Sequence, residues 1–436
     1  MIADAIPVRV RREGSLWTLT APPDTLSRPV VRGNRVFVLV DGRPIACDRA
    51  DGTVVWQSPH LVTGGQEHWA ARLTATGRHL VVPTARTDRF SPGRAALSVL
   101  EAESGSLLWE FDPGELAEYR ADRETLVVWH GREGGRPRQL TGFDLTTGDR
   151  LWEHTFGSVG TIQLVAGRVI ASVQNDRDHS VTAFDARTGT EQWRRAEPGG
   201  ILCVPNNGAP AGPPLVFVWN WLDARLTWLS VADGGTVGDL AIQCAKQQYS
   251  PLIIDGGRTV WLVAASRAGA AHRFRPDTST ETTSHTFHAV RHALSFAAVP
   301  IAPADGWLYA VDAGDRLLAS RIGADGRHLM TPLRWPRSVP GHDRRMEYFD
   351  GLIAGRNHVY ARTRVDLKAQ ESAGRRGSLL DEHLLALRHG TLLWRRPRPS
   401  VIPPVPTGDQ VLLVESDGEQ DRLLLVDGET GAAAEG

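Results

Sequence analysis

Asp144 to Trp152 reads DLTTGDRLW, and the same pattern stands at three other places in the chain. Asp48 to Trp56 reads DRADGTVVW, Glu101 to Trp109 reads EAESGSLLW, and Asp185 to Trp193 reads DARTGTEQW. Each copy follows a short apolar run, such as Ile45-Ala46-Cys47 or Val181 to Phe184, and leads into another, such as Leu107 to Phe111. Strand, tight turn, strand is the local structure this pattern specifies. Gly52, Gly105, Gly148 and Gly189 can take the left-handed backbone that closes such a turn. The carboxylates of Asp48, Asp144 and Asp185 can accept hydrogen bonds from the turn amides. Trp56, Trp109, Trp152 and Trp193 each offer a wide apolar face able to seal one sheet against the next.

The copies recur at spacings of 53, 43 and 41 residues, counted from tryptophan to tryptophan. Trp394 joins the set, since LALRHGTLLW keeps the interval from Gly390 to the indole with a shorter turn before it. Between them the motif decays. Ala232 to Gly238 ends without an aromatic, Met330 stands in the tryptophan position of Ala324 to Met330, and Arg275 to Thr286 has lost the glycine. Ahead of each turn runs a hairpin pattern, as at Gly33 to Val38, Gly77 to Val82, Gly167 to Ile170 and Gly355 to Tyr360. Helical periodicity is almost missing.

Several strands per repeat, without helices, predict an all-β protein: a single closed β-propeller of four-stranded antiparallel blades. Inner hairpins count to nine, with eight as the second count. The chain ends on Val411 to Gly431, two strands and a turn with no tryptophan, while Gly14 to Trp17 opens it with an outer-strand sequence that has no blade of its own. Residues 13–20 are therefore predicted to pair with 409–431, Trp17 completing the last blade and removing its open edge. One domain over 1–436 follows, with insertions at 87–93, 131–138 and 366–377.

Composition narrows the function classes. Among 49 basic residues only Lys246 and Lys368 are lysines, the rest arginines, and a net charge of −1 gives no general attraction to nucleic acid or anionic membrane. Cys47, Cys203 and Cys244 form no paired motif, which argues against a disulfide framework, a zinc site or a c-type haem. The opening residues show no apolar leader and no cysteine for a lipid, and no apolar run reaches the ~20 residues that span a bilayer. The expectation from these features is a cytoplasmic, monomeric protein.

Laid side by side, the repeats resemble the PQQ-like β-propeller family, whose units read as an alternating strand followed by D-x-x-T-G-x-x-x-W, as at Asp144, Thr147, Gly148 and Trp152. The resemblance implies the propeller fold. It joins quinoprotein dehydrogenases to binding proteins such as the BamB-type outer-membrane assembly scaffold. The dehydrogenases of this family carry an adjacent cysteine pair and a calcium held by Asp, Asn and Glu, and no segment here matches either. The BamB-type proteins carry an N-terminal lipid cysteine, also without a match. The resemblance thus implies a propeller without cofactor: neither the quinone PQQ nor calcium is expected.

Other candidates have plainer readings beside them. His285, His288 and His292 have metal-ligand spacing but fall at the end of an outer strand. Asn175-Asp176-Arg177-Asp178 resembles the start of a calcium loop and is also what a hairpin turn needs. Trp219, Trp221 and Trp228 could floor a pocket, or could pack between blades. Arg344-Arg345, Arg375-Arg376 and the group Arg395, Arg396 and Arg398 could meet an acidic partner, but are dispersed among units. No nucleophile elbow, zinc-protease, Walker or dinucleotide motif occurs, and no catalytic residue is assigned. The expected function is non-catalytic: a scaffold whose loops or central funnel hold a protein or peptide partner. A quinone-dependent oxidoreductase, or an enzyme using the central channel, remains the alternative.

Overall fold

The computed structural model describes residues 8–14, 16–59, 73–83, 96–112, 116–131, 138–175, 178–196, 200–203, 214–220, 225–241, 253–255, 259–264, 270–275, 280–286, 301–304, 307–311, 317–321, 331–332, 347–355, 357–367, 379–397 and 402–433. All regular structure among them is β. Two compact units are present, one of Met1–Val10, Thr20–Lys246 and Pro276–Ser279, the other of Arg11–Leu19, Gln247–Arg275 and Thr280–Gly436.

Strands β1 (Arg9–Glu13) and β2 (Leu16–Ala21) open the chain and belong to its final sheet. Four-stranded antiparallel meanders then follow one another. In the first unit they are β3 (Val30–Arg32), β4 (Arg35–Val40), β5 (Arg43–Asp48) and β6 (Val54–Gln57); then β7 (Thr74–Thr76), β8 (His79–Pro83), β9 (Leu97–Glu101) and β10 (Leu107–Phe111). Next come β11 (Leu116–Ala121), β12 (Thr125–His130), β13 (Arg138–Asp144) and β14 (Arg150–Phe156), then β15 (Ser158–Val165), β16 (Arg168–Asn175), β17 (Asp178–Asp185) and β18 (Glu191–Ala196). Strands β19 (Gly200–Cys203), β20 (Leu215–Asn220), β21 (Arg225–Ser230) and β22 (Thr236–Ala241) complete this unit.

The second unit contains β23 (Ile253–Asp255), β24 (Thr259–Ala264), β25 (Ala270–Arg275) and β26 (Thr280–Thr286), then β27 (Ile301–Ala304), β28 (Trp307–Val311), β29 (Leu317–Arg321) and β30 (Thr331–Pro332). After β31 (Glu347–Ala354), β32 (Val359–Leu367), β33 (Leu379–Arg388) and β34 (Thr391–Pro397) comes the last sheet. It is built from β35 (Val405–Thr407), β36 (Gln410–Ser416) and β37 (Asp421–Asp427), followed outward by β2 and then β1. β2 lies beside β37 in the outer-strand position, and the fully buried Trp17 and Leu19 sit on it. The fifth strand, β1, had no counterpart in the sequence reading.

Buried second strands such as β12 explain how neighbouring sheets hold together. In β12 every side chain is buried. Val127 and Trp129 pack with Ile162, Val169 and Phe184 of the following sheet, while Leu126 and Val128 pack with Val81, Leu97 and Val99 of the preceding one. Successive side chains point to opposite faces of a strand, so a strand covered on both faces reads as a continuous apolar run. Runs such as Val36 to Val40, Leu80 to Val82 and Val411 to Val414 are buried for the same reason. Removing an aliphatic side chain of this kind from water stabilises the fold by roughly 1.5–3 kcal/mol.

Candidate interaction face at the tryptophan-receiving turns

The repeated turn is built by its first residue. Asp144 Oδ1 accepts from the amides of Thr146 at 2.9 Å and Thr147 at 3.0 Å, and the Gly148 amide donates to the Asp144 carbonyl at 2.9 Å. Asp185 does the same with Arg187 at 3.0 Å and Thr188 at 2.8 Å. These amide donors, Thr147 and Thr188 foremost, hold both carboxyls below the usual carboxylate range. Asp48 receives the Ala50 amide at 2.8 Å, and Ser230 substitutes its hydroxyl for the acid, accepting from Ala232 at 3.2 Å. The shorter turn before Trp394 is a two-residue hairpin in which His389 and Gly390 both have positive φ, 50° and 73°.

The tryptophans reach from one sheet to the turn of the next. Trp56 Nε1 donates to the Ala102 carbonyl at 3.0 Å, Trp109 to Leu145 at 2.9 Å, Trp152 to Ala186 at 2.8 Å, and Trp193 to Val231 at 3.0 Å. In the second unit Trp394 donates to Gly428 at 2.8 Å. Each acceptor residue is also anchored through its own amide, Leu145 to the Glu124 carbonyl and Ala186 to that of Gly167. One residue thereby ties together both hairpin turns of its own sheet and the indole of the preceding sheet. The turn glycine completes the seat: a Cβ on Gly189 would lie 2.5 Å from the Trp152 ring, and one on Gly148 would lie 2.7 Å from Trp109.

Two further features position the indole. Four of the five tryptophans face a small residue across their own sheet, Ala46 for Trp56, Gly142 for Trp152, Ala183 for Trp193 and Ala386 for Trp394, while Trp109 faces Val99. The residue just before each tryptophan (Val55, Leu108, Leu151, Gln192 or Leu393) is skipped in the pairing as a β-bulge. Such an extra residue bends the strand and re-aims the side chain that follows. Val55, Leu107 and Leu108 are left exposed there, as is Val237 at the matching place in β22.

Where the motif decays, aromatics on other strands take over. Gly238 stands in the tryptophan position of its sheet and faces buried Trp228 across the pair, so large and small residue have exchanged strands. Trp307 and Tyr309 come from β28, the second strand of its sheet. The Trp307 ring lies 2.6 Å from where a Gly390 Cβ would be, and the Gly390 amide donates to the Tyr309 hydroxyl at 2.9 Å. A search at motif spacing misses both tryptophans. The small residue opposite Trp228 was the available signal.

Beside the turns, side chains of adjacent sheets interlock. Arg187 reaches Glu124 at 3.3 Å and Asp144 at 3.6 Å, while Glu429 meets buried His358 at 3.1 Å and Arg388 at 2.8 Å. Burial raises the Cys47 thiol to about 12, which leaves it protonated and unreactive. Among the described residues no group of three or more His, Cys, Asp and Glu is placed to hold a metal ion. Among the described residues no helix is long and apolar enough to cross a membrane. Of the other sequence candidates, Trp219 lies in β20, His285 in β26, Asn175 in β16 and Asp178 in β17, and Arg395 and Arg396 in β34. Trp221, His288, His292, Asp176, Arg177, Arg344, Arg345, Arg375, Arg376, Arg398 and Met330 lie outside the described residues.

A sequence family described as outer membrane protein assembly factor BamB matches three overlapping stretches, 13–88, 60–158 and 93–322. The chain belongs to this PQQ-like repeat family. A protein named outer membrane protein assembly factor BamB from Yersinia pestis is 24% identical over 271 residues, 59% of this chain and 63% of that protein. The chain thus spans just under two thirds of that relative's length. Quinohemoprotein alcohol dehydrogenase ADH-IIG of Pseudomonas putida is 30% identical over 135 residues, 26% of this chain and 18% of that protein. The crystal structure of BamB from Moraxella catarrhalis covers 81% of this chain and 96% of its own, at 14% identity and a TM-score of 0.48.

These matches correct one expectation. The cytoplasmic placement does not stand, because the matching family and the Yersinia pestis relative are named for assembly at the outer membrane. That placement rested on the residues at which the chain opens. A compartment cannot be decided there, since the core that defines a propeller is the same on either side of a membrane.

Proposed function

We propose that this protein is a non-catalytic scaffold, a single closed β-propeller of nine blades that holds a protein or peptide partner with its loops or central funnel. The observation that supports it is membership of the BamB family across 13–322. The indole-to-turn bonds suit that role, because they fix adjacent sheets to one another and leave the loops free to vary. β2, in the outer-strand position beside β37, supports extending the pattern to the last blade. We read the protein as working as a monomer.

The reading needs neither quinone nor calcium. Among the described residues the motif carboxylates of Asp144 and Asp185 are engaged by turn amides, and the motif indoles by turn carbonyls. These motif residues are therefore not offered as a quinone floor or as ligands to its metal, and no step is derived through that group. The test is affinity purification from native cells with mass spectrometry. A stoichiometric protein partner, lost on loop substitution at unchanged melting temperature, is the expected result. Retention of a redox-active quinone, with dye reduction after adding calcium, overturns the reading.

A further inference from the structure

Asp-Gly pairs stand in several of the described turns, at Asp41-Gly42, Asp51-Gly52, Asp233-Gly234, Asp417-Gly418 and Asp427-Gly428. Most are locked by their surroundings. The Gly52, Gly234 and Gly428 amides donate to the carbonyls of Asp48 at 2.8 Å, Ser230 at 2.9 Å and Asp409 at 2.9 Å. The carboxylates before them are occupied too: Asp51 Oδ1 accepts from the Thr53 amide at 2.9 Å, Asp233 Oδ1 from Gly235 at 3.0 Å and Asp427 Oδ1 from Thr430 at 2.7 Å. Asp417 Oδ1 holds the amides of Glu419 and Gln420, both at 2.9 Å. Asp41 and Gly42 differ. They form the two-residue turn between β4 and β5, where Val40 pairs with Arg43. Asp41 is exposed and Gly42 is buried. Among the described residues the Asp41 carboxylate, the Asp41 carbonyl and the Gly42 amide make no hydrogen bond or ion pair. The Asp41 amide, by contrast, donates to the Thr25 carbonyl at 3.1 Å, so the residue is held while the peptide after it is free to rotate.

We propose that Asp41 is a site of spontaneous backbone modification, at which the folded protein closes a cyclic imide with Gly42 and reopens it as isoaspartate. The Gly42 nitrogen attacks Cγ of the protonated Asp41 carboxyl. An N–Cγ bond forms, the Cγ–OH bond breaks, and the hydroxyl leaves with the amide proton as water. Water then adds to a ring carbonyl. Opening at the main-chain carbon leaves the chain running through Cβ and Cγ, and nothing but water is consumed. Glycine after the acid favours the attack, because no Cβ shields its nitrogen. The backbone is also prepared: Asp41 and Gly42 have φ of 48° and 71°, both positive as a type I′ turn requires. The imide ring holds ψ of its acidic residue near about −120°, the value of a type II′ turn, which is the other turn that two-residue hairpins use. Both turns keep φ positive at their first central residue. Ring closure therefore needs only rotation of the unbonded peptide, with β4 and β5 still paired. Reopening to isoaspartate lengthens the turn by one main-chain atom beside the buried run Val36 to Val40 and loosens the hairpin. This inference stands apart from the scaffold reading and survives its failure.

The experiment incubates the full-length protein in heavy-oxygen water at mildly acidic pH, folded in one arm and unfolded in urea in the other. Peptide mapping by mass spectrometry follows. In the folded arm the peptide holding Asp41 gives an imide lighter by one water, then an isoaspartyl form carrying the heavy oxygen. It does so roughly fivefold or more faster than the peptides holding Asp51, Asp233 and Asp427, where the glycine amide must first leave a hydrogen bond. In urea the four rates converge. Asp41→Asn keeps the turn type and loses ammonia through the same imide, while Asp41→Ser takes up no label at this position. Absence of label at Asp41 in the folded arm, whatever the urea arm shows, overturns the proposal. So do equal rates at the other three pairs in the folded protein, or a folded Asp41→Asn variant that stays intact. The comparison among pairs in the parent protein decides the matter even if a variant fails to fold.

Discussion

The Trp152 indole rests so closely on Gly189 of the neighbouring sheet that a Cβ there would begin 2.5 Å from the ring, and its Nε1 donates at 2.8 Å to Ala186 in the same turn. Stacking and hydrogen bond act on one side chain. The first needs a residue without a Cβ, and the second needs a carbonyl turned outward. The acid four residues before the glycine supplies the second by holding the turn's amides on its carboxylate.

Replacing Trp152 with alanine is expected to cost about 3–5 kcal/mol, the range for a buried aromatic. Trp152→Phe should lose less but still leave the Ala186 carbonyl without its donor, a loss on the order of 1 kcal/mol beyond packing. Urea unfolding of the two variants beside the parent measures both, and a loss under about 1 kcal/mol for the alanine variant contradicts the docking role.

Gly189→Ala and Gly33→Ala separate backbone strain from collision. Both positions have positive φ, 69° and 54°, but space around Gly33 is open while Gly189 carries the indole. The Gly33 change should cost about 1 kcal/mol, the strain of a left-handed residue. The Gly189 change should cost at least ~2 kcal/mol more, because ring or turn must move. Equal losses in chemical denaturation would show that the contact contributes nothing.

Trp307→Ala should destabilise the second unit as Trp152→Ala does the first, by roughly 3 kcal/mol, although Trp307 lies outside the motif. Amide exchange at Gly390 should accelerate, since its donor bond to Tyr309 sits beside the lost ring. Unchanged exchange there would return Trp307 to an ordinary surface role.

Acid should weaken the fold through the capping aspartates. Asp144 and Asp185 have folded-state pKa values below their unfolded ones, so their contribution is complete above about pH 4, the unfolded value. It is lost as pH falls through the lower folded-state values. The double variant Asp144→Ala/Asp185→Ala should be less stable at neutral pH and lose less on acidification. Parallel stability curves for parent and variant between pH 7 and pH 3 would contradict this sign.

Removing residues 1–20 should destabilise the final sheet strongly, because Trp17 and Leu19 are fully buried on β2. Removing only residues 1–13 should change the melting temperature little, since β1 buries almost nothing. Comparable losses from both truncations would mean that β1 is part of the core.

Much of this architecture was legible in the chain. The alternation of apolar runs with D-x-x-T-G turns is local chemistry: a carboxylate finds its own backbone amides within three residues, and a glycine closes the turn wherever it stands. Strand order within a meander follows from such neighbours. The bulge before each tryptophan was not legible, because Val55, Leu151 and Gln192 share no residue type; the bulge answers the distance to the next sheet.

The use of Trp307, delivered from the second strand of its sheet, was equally hidden. By itself the sequence determined the repeat, the turns and the all-β class, because those depend on contacts within a few residues. Which strand delivers each indole, and the extra basic strand at the edge of the last sheet, were decided by tertiary structure. Volume between two packed sheets can be filled from either strand of a pair, and a free edge accepts whatever backbone lies beside it.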